Sequence, residues 1–256
     1  MKCPACHTEN TAEAKFCGNC GHSLTEEVVA SGAQEEGEQQ ERVALAKETV
    51  EQAKRFASGY FQFFKHAFKA PTAIMKSGKV EVRNGVVSLV LICFLGACIF
   101  YRMMSAAAAV TKTFAPDIPT PTFFLDSVTV FLFLLILTLF VGFIIFVSGK
   151  MMKSSFSFLE VFGVWGTIAT PAIAILVLTF LFSFLLIFFL PILLSVATTY
   201  IGISITVAIL KLDNGGLDLV YTLIIANVLI GIATFIVLWS YISTIIQTIT
   251  QGLTGL

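Results

Sequence analysis

Three features of this chain predict an all-α polytopic membrane protein with five transmembrane helices, a small metal-built head and a juxtamembrane amphipathic helix. Cys3, Cys6, Cys17 and Cys20 form two Cys-x2-Cys pairs separated by ten residues. Long apolar runs follow from about residue 86, in a chain that is 57% hydrophobic and contains 25 phenylalanines. Between head and runs lies a stretch in which aromatic and basic residues recur at helical spacing.

Residues 1–24 read as a zinc ribbon. Each Cys-x2-Cys turn offers two thiolates at a separation one tetrahedral ion can span, and a segment this short buries too little apolar surface to fold without a metal. Pro4 in the first pair, and Gly18 and Gly21 around the second, suit tight knuckle turns whose backbone N–H groups point at sulfur. The array starts directly after Lys2 with no apolar leader ahead of it, so one structural Zn2+ in a reducing compartment is expected rather than two disulfides. His7 and His22 adjoin the pairs, but four cysteines already complete the ligand set. A site closed by four thiolates leaves no position for a reacting water, which makes the ion structural and not catalytic.

Residues 25–41 carry six glutamates and no Lys or Arg, with no hydrophobic period, and read as a flexible acidic linker. Residues 42–84 read as an amphipathic, interfacial helix and a basic juxtamembrane segment. Val43, Ala46, Val50, Ala53, Ala57, Phe61, Phe64 and Phe68 recur at three- and four-residue steps, predicting helix from about Gln39 to Ala70, where Pro71 stops it. Lys54, Arg55, Lys65 and Lys69 among Phe61, Phe64 and Phe68 give this helix the character of one that lies at a lipid surface. From Lys54 to Arg83 seven cations face the single acid Glu81, a balance suited to an anionic leaflet. The whole chain has zero formal charge and the basic run abuts a membrane span, which argues against nucleic acid as a partner.

Residues 85–256 form the membrane domain, with spans expected at about 86–104, 128–147, 161–181, 190–210 and 219–246. In the second, 17 of 20 residues are Val, Leu, Ile or Phe, worth a few tenths of a kcal/mol each toward insertion. Residues 161–212 hold no charge before Lys211 and as one helix would run about 78 Å, far beyond a hydrocarbon core of about 30 Å. They therefore divide into two spans, reversing between Ser183 and Pro191, with Pro171 kinking the first. Five crossings place Lys150, Lys153 and Lys211 on the side of the cation-rich pre-membrane segment, so the positive-inside rule predicts a cytoplasmic N-terminus and an outside C-terminus in the cell membrane.

The spans lack the titratable groups that ion-coupled transport or intramembrane hydrolysis requires, and no catalytic constellation is expected. Asn227, the one strongly polar mid-span residue, is expected to hydrogen-bond to a neighbouring helix. Ser195, Thr198, Thr199, Tyr200, Ser204 and Thr206 make the fourth span hydroxyl-rich, through helix packing or, alternatively, as a polar path for a transporter or channel subunit. Cys93 and Cys98 point to different faces and read as apolar fillers.

With those residues in view, Met1 to Leu24 resembles the zinc ribbon found ahead of many uncharacterised bacterial membrane proteins. The membrane part resembles the Yip family of five-span proteins at Pro71, at Ser155-Phe156, at Pro171 and at Trp239. That resemblance implies membrane trafficking or partner binding, and in bacteria an association with export systems, with no catalytic residues to carry over. The expected function is a non-enzymatic membrane adaptor or scaffold, with lipid and a protein at the ribbon as its partners and self-association compatible with the fold.

Overall fold

The computed structural model describes residues 1–3, 5–22, 24, 27–71, 80–112, 122–185 and 189–254. Several expectations lie outside these: Pro4 in the first knuckle, the start of the linker at residues 25 and 26, Lys76 and Lys79 of the basic segment, the prolines of the loop at 113–121, and the turn at 186–188. The described residues form seven helices, with isolated β-bridges such as Lys2 to Glu9 in the head. The chain divides into two compact units, Met1–Gly59 and Tyr60–Leu256.

Helix α1 spans Glu27–Lys69 and begins well ahead of the expected Gln39, so residues 27–41 are helical and not an irregular linker. Glu, Gln and Ala dominate that stretch and have good intrinsic helix propensity, with only Gly32 and Gly37 opposing them. It carries no hydrophobic period, so periodicity alone misses it. Residues 46–59 are exposed on every side, so the apolar stripe of Ala46, Val50, Ala53 and Ala57 covers no core.

The second unit begins where α1 acquires a partner. Phe63 and Ala67, four residues apart, are buried, and Tyr60 one turn earlier is half-buried. The remaining helices are α2 (Val82–Thr111), α3 (Phe123–Met151), α4 (Phe158–Ala169), α5 (Pro171–Leu185), α6 (Leu190–Lys211) and α7 (Leu219–Thr254). Four of these, α2, α3, α6 and α7, are each long and apolar enough to cross a membrane, and α4 with α5 passes the same test as a pair bent by 53°.

The pair occupies the centre of the bundle. Every residue from Val161 to Ile173 is buried, and Trp165, Ile168 and Ala169 pack with Leu89 of α2, Ile145 of α3 and Ile209 of α6. A capping box starts α4: Ser157 N donates 2.7 Å to the Glu160 carboxylate, and Glu160 N donates 3.4 Å to Ser157 Oγ. Pro171 has no N–H to continue the ladder, and the bend falls there. Hydroxyls satisfy nearby carbonyls, Thr167 donating to Gly163 O at 2.7 Å and Thr170 to Gly166 O at 2.9 Å.

Glycines allow α2 to cross α4 almost backbone to backbone. A methyl group at Gly166 would collide with the Gly85 carbonyl, and one at Gly85 with the backbone of Gly163. This crossing lies in the first turn of α2 and in the middle of α4. At the same end the loop after α6 docks on the loop after α3: Leu217 N donates to Met151 O (2.9 Å), Asn214 N to Met152 O (3.2 Å), and Asn214 Nδ2 to Lys153 O (3.3 Å). The opposite end is marked by Arg102, late in α2, whose guanidinium donates 3.4 Å to Ser183 O of α5 and lies 4.2 Å from the centre of the Phe184 ring. The bent pair therefore runs from one end of the bundle to the other, and taken as one broken span it makes five candidate crossings, which enclose the five expected segments.

Candidate metal centre

The head is built from two copies of one backbone turn. Cys3 O accepts from His7 N at 2.9 Å and Cys3 N donates to Thr8 O at 3.0 Å; Cys17 O accepts from Gly21 N at 2.9 Å and Cys17 N donates to His22 O at 2.8 Å. The same offsets of four and five residues recur in both pairs. Each turn closes through the left-handed region at the residue after its second cysteine, with φ of 58° at His7 and 71° at Gly21.

The turns bring the four sulfurs within 4.8 Å of one another. Cys3 Sγ lies 3.6 Å from Cys20 Sγ, and Cys6 Sγ 3.5 Å from Cys17 Sγ, with no disulfide among them. A tetrahedral zinc with Zn–S bonds of about 2.3 Å requires sulfurs about 3.8 Å apart, so these residues fit one ion closely. Among the described residues, the cluster contains neither His7 nor His22, both of which are exposed.

The thiol chemistry is uneven. Backbone N–H groups of Asn19 and Cys20, aided by the Asn10 side chain, draw the Cys17 thiol down to about 6. The Thr8 hydroxyl and backbone lower that of Cys6. At Cys20 a hydrogen bond from the His22 backbone favours the thiolate, but the Cys6 thiol, burial and the Cys3 and Cys17 thiols outweigh it and push the group up to about 12. Four sulfurs this close do not all ionise by themselves; a bound dication supplies the charge that lets the last one do so.

Two residues that the sequence does not advertise tie the turns together. Asn10 accepts from Gly18 N at 3.0 Å and places its Nδ2 3.0 Å from Thr8 O and 3.4 Å from Cys17 Sγ. Thr8 Oγ1 lies 3.3 Å from Cys6 Sγ and accepts from Asn19 Nδ2 at 3.2 Å. Both sit in the gap between the cysteine pairs, where residue type alone carries no spacing signal. They orient the ligands from behind.

Of the expected membrane-interface residues, Lys54, Arg55, Phe61, Lys65, Phe68 and Lys69 are exposed and Phe64 is half-buried. Lys65 Nζ lies 4.8 Å from the centre of the Phe61 ring, and Phe64 stacks on Phe68. The docked side of this helix end is a different one. Tyr60 is hydrogen-bonded to Ser88 of α2 at 2.9 Å, and Ser88 in turn to Thr170 at the helix break, also at 2.9 Å.

Among the described residues, Asn227 makes no bond to a neighbouring helix of the kind expected. Its Nδ2 donates 2.8 Å to Leu223 O of its own helix, and the residue is exposed, because the inner side of α7 is filled by Thr222 and Ala226. The hydroxyls of α6 divide likewise. Ser204 accepts from Trp165 Nε1 at 3.1 Å and Tyr200 donates to Ile168 O at 3.1 Å, whereas Ser195 and Thr198, both exposed, and the half-buried Thr206 donate back to carbonyls of α6 itself. Cys93 and Cys98 are buried, and Cys93 lies 3.2 Å from Thr138 Oγ1.

Fold and site together define an integral membrane protein carrying a zinc-binding head. Residues 2–24 match the zinc-ribbon domain, and residues 50–248 match the family described as a domain of unknown function, DUF6574. The second match covers most of the chain, which belongs to that family. No curated protein and no solved structure matches it.

Proposed function

We propose that the protein is a non-enzymatic membrane adaptor whose zinc ribbon docks a protein partner in the cytoplasm while the five-span bundle anchors it in the cell membrane. The observation that carries this reading is the closed four-sulfur site: it presents a shaped surface and leaves no coordination position for substrate. That surface includes Phe16, 64% exposed next to Cys17, an apolar anchor of the kind partner sites use. In the bundle, the buried hydroxyls of Ser88, Thr167 and Thr170 are bonded to helix carbonyls or to each other, which is the pattern of packing. The Yip-like pattern and a bacterial setting fit the same role, as an accessory to an export or envelope system.

Affinity purification of the full chain in mild detergent tests the reading. A partner that co-purifies with the wild type and is lost with Cys17→Ser and with Phe16→Ser supports it. Retention of the same partner by both variants assigns binding to another surface and overturns it. A transporter or channel subunit is the second reading, favoured by an open groove of about 290 Å³ that Ile175, Ser195, Val196, Thr199, Tyr200 and Ile203 line. Solute flux through the pure protein in liposomes, abolished by Thr199→Leu, would favour it over the adaptor.

A further inference from the structure

We propose that two copies of this chain pair within the membrane through α7, crossing at Asn227 and Gly231. The inner side of α7 is defined by Thr222 and Ala226, both fully buried, with Leu223 and Ile230 packed against the core. Val220, Ile224, Asn227 and Gly231 follow at steps of four, three and four, which places them on one side of the helix, and all four are exposed. Ile225, Leu229 and Ile236 occupy a separate exposed flank.

Asn227 lies eight residues beyond Leu219, hence about 12 Å along the helix axis and well inside a hydrocarbon core of about 30 Å. A carboxamide has two N–H donors and an acceptor oxygen, and the one bond described for it uses a single donor on Leu223 O. Lipid chains cover Val220 and Ile224 adequately but offer nothing to the rest of the amide, and a polar group left unmet at this depth is costly. The group is self-complementary: across a twofold axis the oxygen of one Asn227 accepts from the Nδ2 of the other. Gly231, one turn further on, supplies the room. A methyl group built there meets nothing within 4 Å, so a second backbone can approach closely. Donor and acceptor on one residue, with an adjacent bare helix surface, point to a second copy of the same chain.

The test uses the pure full-length, zinc-loaded protein in phosphatidylcholine vesicles, where any dimer contains only this chain. Oxidative cross-linking of Ile224→Cys and Gly231→Cys is expected to give disulfide-linked dimers well above the wild-type background, with Ile225→Cys and Leu229→Cys remaining at it. Asn227→Leu is expected to lower the association constant, measured by energy transfer between labelled copies, by roughly threefold to thirtyfold, the span interhelical side-chain bonds show in membranes. Asn227→Gln should retain most of the association. Equal cross-linking on both flanks, cross-linking on neither, or association unchanged in Asn227→Leu overturns the proposal. These readouts do not involve the ribbon, so their failure leaves the adaptor reading intact.

Discussion

At the scale of single residues, the head depends on charge. Cys17 is held at about 6 by hydrogen bonds, whereas Cys20 stands at about 12 among its neighbouring sulfurs. Metal binding at neutral pH must therefore displace protons, and affinity rises with pH. The sign follows directly: lowering the pH supplies the competing protons, and near 6 Cys17 also begins to hold one. Zinc retained after dialysis against a weak chelator should fall between pH 7.5 and 5, more steeply than tenfold in affinity per pH unit once more than one proton is taken up per ion. Cys20→Ser removes a ligand from a head in which, among the described residues, only Cys3 and Cys17 are buried, so the variant should lose its zinc while still inserting into the membrane, as metal analysis of the purified protein would show. His7 offers the opposite kind of change. It occupies the left-handed position that Gly21 fills in the second turn, at a backbone cost of about 1–2 kcal/mol for an L-residue. His7→Gly should raise zinc affinity by about fivefold in chelator competition, since part of that relief is offset by glycine's freedom in the unfolded chain. Gly21→Ala, with nothing within 4 Å to obstruct the new methyl, should lower affinity through the backbone alone.

At the scale of elements, the controlling feature is how closely helices approach. Gly85, Gly163 and Gly166 form a seam in which any Cβ strikes backbone that cannot yield, whereas Gly202 on α6 faces open space. Gly166→Ala should therefore destabilise the bundle by about 1–3 kcal/mol through overpacking, while Gly202→Ala is neutral or stabilising by up to about 1 kcal/mol. Thermal unfolding in one detergent, comparing the two variants, checks the contrast; equal effects would mean the seam is looser than it stands here. Much at this scale was legible in the sequence. Apolar runs longer than a bilayer, the uncharged stretch before Lys211 and Pro171 inside it lead to five candidate spans with one bent, because lipid forces backbone groups to pair within each segment. The cysteine spacing was equally legible, because metal geometry leaves little choice. Two readings failed for related reasons. The acidic stretch is helical through intrinsic propensity, a signal that periodicity does not carry. Asn227 was read as glue between neighbours, but which side of α7 faces inward is decided by Thr222 and Ala226, whose smallness and burial have no signature along the chain.

At the scale of the whole molecule, the two matched regions and the two compact units divide the chain in nearly the same way. The ribbon ends at residue 24 and the membrane family begins at residue 50, within α1. The membrane family thus includes the end of α1, where Tyr60, Phe63 and Ala67 join the bundle, so this helix end belongs to the membrane domain rather than to the head. The orientation we propose for that domain rests on the charge at its two ends. Lys150, Lys153 and the loop after Lys211 gather at the end where α2 starts, and Lys150 Nζ is held there by the carbonyls of Ser154 and Phe156 at 3.2 and 3.0 Å. The other end presents Arg102, drawn inward over Phe184, and Asp126, bonded to Thr122 at the start of α3. Positive charge counted over short loops favours the first end as cytoplasmic, and thiolate ligands favour the same compartment for the head. Lys153→Cys and Asp126→Cys, both at exposed positions, should then react with an impermeant maleimide from opposite faces of the membrane, Asp126→Cys in intact cells and Lys153→Cys only after the membrane is opened. Native Cys93 and Cys98 are buried and the other four cysteines hold zinc, so the background is low. Labelling of both positions from one face would reduce α4 and α5 to a re-entrant hairpin or reverse a span, and would overturn the odd number of crossings that we propose separates the two termini.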